Sequence, residues 1–153
     1  MMDPGQFLVI GYGNTLRRDD GVGPRVAQAL SAFNLAGVRA IALHQLAPEL
    51  AEPISQASGV IFVDARVSGP PGLTLEKLEP GNGIPALDHA LDPPALLKLA
   101  GELFGRTPSA WILAIPVTDM EFGDTLSPAV QAAIDLALNQ IQTHFSRFQE
   151  MPS

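Results

Sequence analysis

Phe7-Leu8-Val9-Ile10-Gly11-Tyr12-Gly13-Asn14-Thr15-Leu16-Arg17-Arg18-Asp19-Asp20-Gly21-Val22-Gly23 decides how the rest of the chain is read. Phe7–Tyr12 is apolar at consecutive positions, not at alternate ones. That pattern belongs to a strand buried on both faces, as in a parallel sheet. Gly11 and Gly13 permit a tight exit from the strand, where a Cβ would clash or φ be positive. Asn14 is suited to bond the backbone of its own loop. Val22, Val26, Ala29, Leu30 and Phe33 then follow at helical spacing. Asp19 and Asp20 stand where a capping carboxylate would accept backbone N–H groups at the start of that helix. Strand, glycine loop, acids and helix make the opening unit of an α/β domain.

Outward from this unit the alternation repeats. Val38–Leu43 is a second apolar run, and Pro48 to Glu52 opens a short helix with proline near its first turn. Gly59–Ala65 is a third strand, with Asp64 at its end. Ser68 to Gly72 is a strong turn, and Leu73–Leu78 reads as an exposed or edge strand. Gly81–Leu91 is a loop carrying Asp88-His89. A helix is predicted from Pro93 or Pro94 to about Phe104, and Trp111–Val117 is a fourth buried run. Ser127, as N-cap, and Pro128 open a last helix to about Phe148, with residues 149–153 frayed. The prediction is one α/β domain over 1–153: a three-layer sandwich, its twisted, mostly parallel sheet covered by helices on both faces.

Composition agrees and excludes. The chain has 153 residues, net charge −7, 46% hydrophobic and 16% charged residues. One packed domain is expected at that length, able to bury roughly 68–70% of its unfolded surface without staples. Gly and Pro are 28 of the 153 residues, below the share of about 25–30% that marks low complexity. With no cysteine, there is no disulfide, thiolate metal site or Cys nucleophile. Nine basic residues, with only Arg17 and Arg18 adjacent, argue against nucleic acid or an anionic membrane as partner. Met1 to Asn14 lacks the basic flank and apolar stretch of a signal peptide. No apolar run approaches the ~20 residues of a membrane span. The expected compartment is therefore the cytoplasm.

The familiar catalytic patterns fail. Gly11-Tyr12-Gly13 begins a dinucleotide fingerprint, but Leu16 occupies the third glycine position. Acids at the helix mouth would repel a pyrophosphate. There is no phosphate-binding Gly-Lys-Ser/Thr, no G-x-S-x-G elbow and no H-E-x-x-H helix. Of the three histidines, His44 closes the second strand and reads as bonded to backbone. His144, in the last helix, reads as solvated or as a partner of the helix dipole. His89 has no apolar periodicity to explain it, and surface placement competes with a functional role.

Ligands in open α/β sheets bind beyond the carboxyl ends of the strands. Asp19 and Asp20 follow strand 1, and Asp64 ends strand 3, so both carboxylate positions reach that edge. If His89 folds over it, two carboxylates and one imidazole converge. Such a set suits a borderline divalent metal with open positions, such as nickel or zinc. Helix capping is the competing use for these acids.

Gly11 to Gly23 also resembles the N-terminal signature G-x-G-N-x-L-x-x-D-[DE]-G-x-G of the [NiFe]-hydrogenase maturation endopeptidases. His44 to Ala51 is similar to the segment following their second strand. Ile61 to Ala65 is similar to the strand ending in their second metal-contacting acid, and Asp88-His89 to their loop histidine. The resemblance covers almost the whole chain. It implies an endopeptidase that removes the C-terminal extension of a hydrogenase large-subunit precursor after nickel insertion, letting that subunit close around its metal. It maps the metal-contacting residues onto Asp20, Asp64 and His89.

A site of oxygen and one imidazole holds metal loosely beside a thiolate site. Nickel is accordingly expected to arrive transiently, borne by the substrate, with the enzyme itself isolated largely metal-free and monomeric. Two mechanisms stay open. Nickel bridging to Asp20, Asp64 and His89 polarises the scissile carbonyl and activates water. Alternatively, nickel is only recognised and a carboxylate, Asp20 or as second choice Asp19, is the general base. A non-catalytic nickel-dependent chaperone for the large subunit is the competing function. Specificity is expected in the loops Ser68–Gly72 and Gly81–Asp92, and Arg17-Arg18 reads as a solvated tip.

Overall fold

Five strands form one sheet in the order β2-β1-β3-β5-β4. The computed structural model describes residues 6–16, 18–67, 69–81, 91–117 and 128–150, except the side chains of Arg18 and Asp19. The strands are β1 (Phe7–Tyr12), β2 (Val38–Leu43), β3 (Gly59–Arg66), β4 (Thr74–Leu78) and β5 (Ser109–Pro116). β1 is flanked in parallel by β2 and β3, β3 pairs in parallel with β5, and β4 closes one edge antiparallel to β5. The helices are α1 (Val22–Phe33), α2 (Ala51–Gln56), α3 (Pro93–Phe104) and α4 (Pro128–Glu150). The α/β, mostly parallel architecture read from the sequence is the one observed.

Consecutive apolar residues make the central strands, because each face of the sheet needs a side chain every second position. Leu8, Ile10, Val60 and Phe62 point to one face, into a cluster with Ile54 of α2 and Leu96 and Leu97 of α3. Phe7, Val9, Ile61 and Val63 point to the other, against Val22, Val26 and Leu30 of α1 and Ile141 of α4. Phe7, Leu8, Ile10, Ile61 and Phe62 are fully buried. Each such side chain stabilises the fold by about 1.5–3 kcal/mol relative to exposure. β2 and β4 lie at the edges and are only partly covered.

Helix ends follow local chemistry. Asp92 caps α3: its Oδ1 accepts the Ala95 N–H at 2.8 Å, with Pro93 and Pro94 opening the first turn. Gly105 ends α3 with φ of 76°. α1, in contrast, starts from Gly21 with no side-chain cap. The expected capping role for Asp20 is thus not observed. α4 runs through Glu150, two residues past Phe148. Its last turns are anchored by Phe145 and Phe148, whose rings lie 5.5 and 5.3 Å from that of Phe7. Ser127, the expected cap of α4, and residues 151–153 lie outside the described residues.

His144 departs from the expected solvated or helix-dipole role. It is half-buried and packs edge-on against Trp111 at 4.3 Å between ring centroids. Its Nε2 is buried with no hydrogen-bond partner. Helical phase turns it toward the sheet, along with Ile141 and Phe148, and not toward solvent.

Candidate active site

The sheet order places β2 on one side of β1 and β3 on the other. The chain leaves β1 for α1 on one face, and reaches β3 through α2 on the opposite face. A crevice opens where connections diverge like this, beyond the carboxyl ends of the strands. β1 ends there in Tyr12, and β3 in Asp64-Ala65-Arg66.

The parallel register pairs Gly11 with Val63, which brings the next residues, Tyr12 and Asp64, side by side. Tyr12 Oη donates a hydrogen bond to Asp64 Oδ2 at 2.9 Å. Tyr12 packs against the cluster beneath α2 and α3. Burial pushes its phenol pKa up, and the charges of Asp64 and then Asp92 add to that rise. The hydroxyl therefore keeps its proton and acts as a neutral donor.

Asp64 is half-buried. Burial raises its carboxyl pKa above the ordinary value. Hydrogen bonds from Tyr12 and the Ala65 N–H act against that rise, and the negative charge of Asp20 adds to it. Asp20 and Asp64, far apart in the chain, thus share one electrostatic neighbourhood.

Asp20 sits in a 3-10 turn, Arg18–Gly21, that packs against β3. Its Oδ2 accepts the Asn14 N–H at 2.9 Å, while Asn14 Oδ1 accepts the Leu16 N–H at 2.9 Å. The loop between strand and helix is thereby closed by side chains of its own signature. Gly13 has φ of 149°, and a Cβ there would meet the Asp20 carbonyl oxygen. That glycine brings the turn down onto the end of β1.

His89 and Asp88 lie outside the described residues, as does the side chain of Asp19. Among the described residues no three His, Cys, Asp or Glu side chains are grouped to hold a metal ion. Gly81 N–H bonds the Pro94 carbonyl at 2.8 Å, and Asp92 caps α3. His44 is exposed just beyond β2.

Two residues escaped the sequence reading. Tyr12 stood only as the variable position between two glycines, and Asp92 as the end of a loop. An alternation count along β1 places Tyr12 on the face of Leu8 and Ile10. Its neighbour across the sheet needed the strand register. Leu16 and Val67, beside the ends of this crevice, are 62% and 68% exposed. A separate cavity of about 450 Å³ lies between β4 and α4, lined by Leu73, Leu75, Leu136, His144 and Arg147 among others. No carboxylate is among the described residues that line it.

No family model matches the chain, and no curated protein matches it. Solved structures do. Hydrogenase maturating endopeptidase HybD from E. coli superposes with a TM-score of 0.72 at 22% identity, covering 93% of each chain. Hydrogenase 2 maturation peptidase from Thaumarchaeota archaeon SCGC_AB-539-E09 gives 0.69 at 29% identity, over 92% of this chain and 98% of the other. [NiFe] hydrogenase maturation protease HycI from Thermococcus kodakarensis KOD1 gives 0.70 at 18% identity, over 90% of each. The chain therefore resembles the hydrogenase maturation endopeptidases in fold over nine-tenths of its length, and not in the Gly11–Gly23 signature alone.

Proposed function

We propose that this protein is an endopeptidase that removes the C-terminal extension of a [NiFe]-hydrogenase large-subunit precursor, and that it recognises nickel already held by that precursor. The observation that supports this reading is that the charge of Asp20, in the turn packed on β3, is felt at the Asp64 carboxyl beyond the strand ends, in a fold shared with endopeptidases of that class. Two carboxylates at one sheet edge attract a divalent cation. His89 is the imidazole that the resemblance to those endopeptidases offers for the third contact.

Nickel enters this reaction as part of the substrate. Asp20, Asp64 and His89 contact it, so that the scissile bond beside it is held at the crevice. A water is then activated, either by the nickel or by a carboxylate acting as general base. Neither route needs a tightly bound resident metal. The exposed Leu16 and Val67 offer apolar contact to a polypeptide crossing the crevice. The protein acts in this reading as a cytoplasmic monomer.

The test is incubation with nickel-loaded and nickel-free precursor, followed by mass measurement of the large subunit. Loss of the tail from the loaded form alone is expected. An intact loaded form rejects the peptidase, and binding without cutting would then make the protein a nickel-dependent chaperone. Equal cleavage of both forms rejects nickel recognition.

A further inference from the structure

The Tyr12 hydroxyl does something that packing does not require. The apolar cluster beneath α2 and α3 needs a ring at this position, and Phe would fill it. The phenol oxygen instead ends 2.9 Å from Asp64 Oδ2. A carboxylate turns readily about its last torsion, because that torsion is broad. An O–H donor on one oxygen removes this freedom and occupies one of its acceptor directions.

We infer that Tyr12 is a positioning residue for the reaction: its hydroxyl engages Asp64 Oδ2, so that Oδ1 is the oxygen turned to the incoming nickel and scissile bond. The inference rests on the endopeptidase reading, through Asp64. Tyr12 itself touches neither substrate nor metal. Its effect is geometric, the same service that outer partners give to metal-contacting carboxylates in general.

Tyr12→Phe tests this, because it keeps the ring and deletes only the donor. Wild type and variant are assayed on nickel-loaded precursor well below both unfolding midpoints. The expected result is a fall in kcat of about 10–100-fold, with KM for the precursor unchanged. A kcat equal to wild type overturns the inference, as does a loss confined to KM or shared equally by kcat and KM, since a displaced or loosened crevice would do that. A wild-type protein that leaves the loaded precursor intact overturns the endopeptidase reading and this inference together. Normal cutting by wild type and variant alike overturns this inference alone.

Discussion

Gly23, in the first turn of α1, lies with its backbone directly against Gly11 of β1. A Cβ on Gly11 would meet the Gly23 carbonyl group, its carbon at 2.6 Å. A Cβ on Gly23 would meet the carbonyl oxygens of Tyr12 and Val63 at 2.5 and 2.6 Å. The start of α1 thus rests on the backbone of β1 and β3 with no side chain between. Gly11→Ala must lift the helix, and overpacking of this kind costs about 1–3 kcal/mol. Urea unfolding is expected to show that loss. Because the Arg18–Gly21 turn is joined to α1, cleavage is expected to fall even where the variant is fully folded.

Asp20→Asn separates loop structure from chemistry. The amide keeps an oxygen to accept the Asn14 N–H but carries no charge. Stability is expected to stay within about 0.5 kcal/mol of wild type by denaturant titration. Cleavage of nickel-loaded precursor is expected to fall by on the order of 100-fold or more, as for loss of a charged group at a reacting centre. Precursor that is still bound but uncut assigns Asp20 as base. Loss of binding as well assigns it as a nickel contact.

Asp64 gives stability a definite pH dependence. Its folded pKa lies above the unfolded value, chiefly through burial. The folded state therefore holds this proton more tightly. The associated stability is fully present below the ordinary carboxylate pKa, about 4, and is lost as pH rises through the folded pKa. Asp64→Asn removes the buried charge and keeps an acceptor for Tyr12. Its Tm is expected to exceed that of wild type at neutral pH, with the difference closing as pH falls toward about 4.

His144 works in the opposite sense. Burial, and then the Arg147 charge, lower its pKa. The unfolded chain binds this proton more readily, so the contribution is present above about 6.5 and is lost as pH falls through the folded pKa. His144→Phe removes the unpartnered Nε2 and keeps an aromatic edge on Trp111. The variant is expected to match or exceed wild-type Tm at pH 7.5 and to gain on it at pH 5. A wild-type advantage that grows at pH 5 would contradict the burial argument.

Much of this molecule is legible along the chain. Continuous apolar runs gave β1 and β3, because a strand covered on both faces has no polar position to show. Pro93 and Pro94 announce the start of α3, because proline fits the first turn of a helix. Strand direction alone brings Asp20 and Asp64 to the same sheet edge. The misreadings share one cause. Capping is one expected use of Asp19 and Asp20, which stand just ahead of α1, yet the Asp20 carboxylate reaches back six residues to Asn14. His144 reads along the chain as solvated or as a partner of the helix dipole, because the chain does not say which face of α4 the aromatic group around Phe7 covers.

The sequence by itself determined the element types, the acids available to the site and the exclusion of thiol chemistry. Those follow from local spacing and composition. Only the tertiary structure decided which side chains meet. β1 and β3 are separated by α1, β2 and α2, and their register places Tyr12 beside Asp64 across the sheet. No periodicity within either strand contains that register, because it is set by packing of both faces at once.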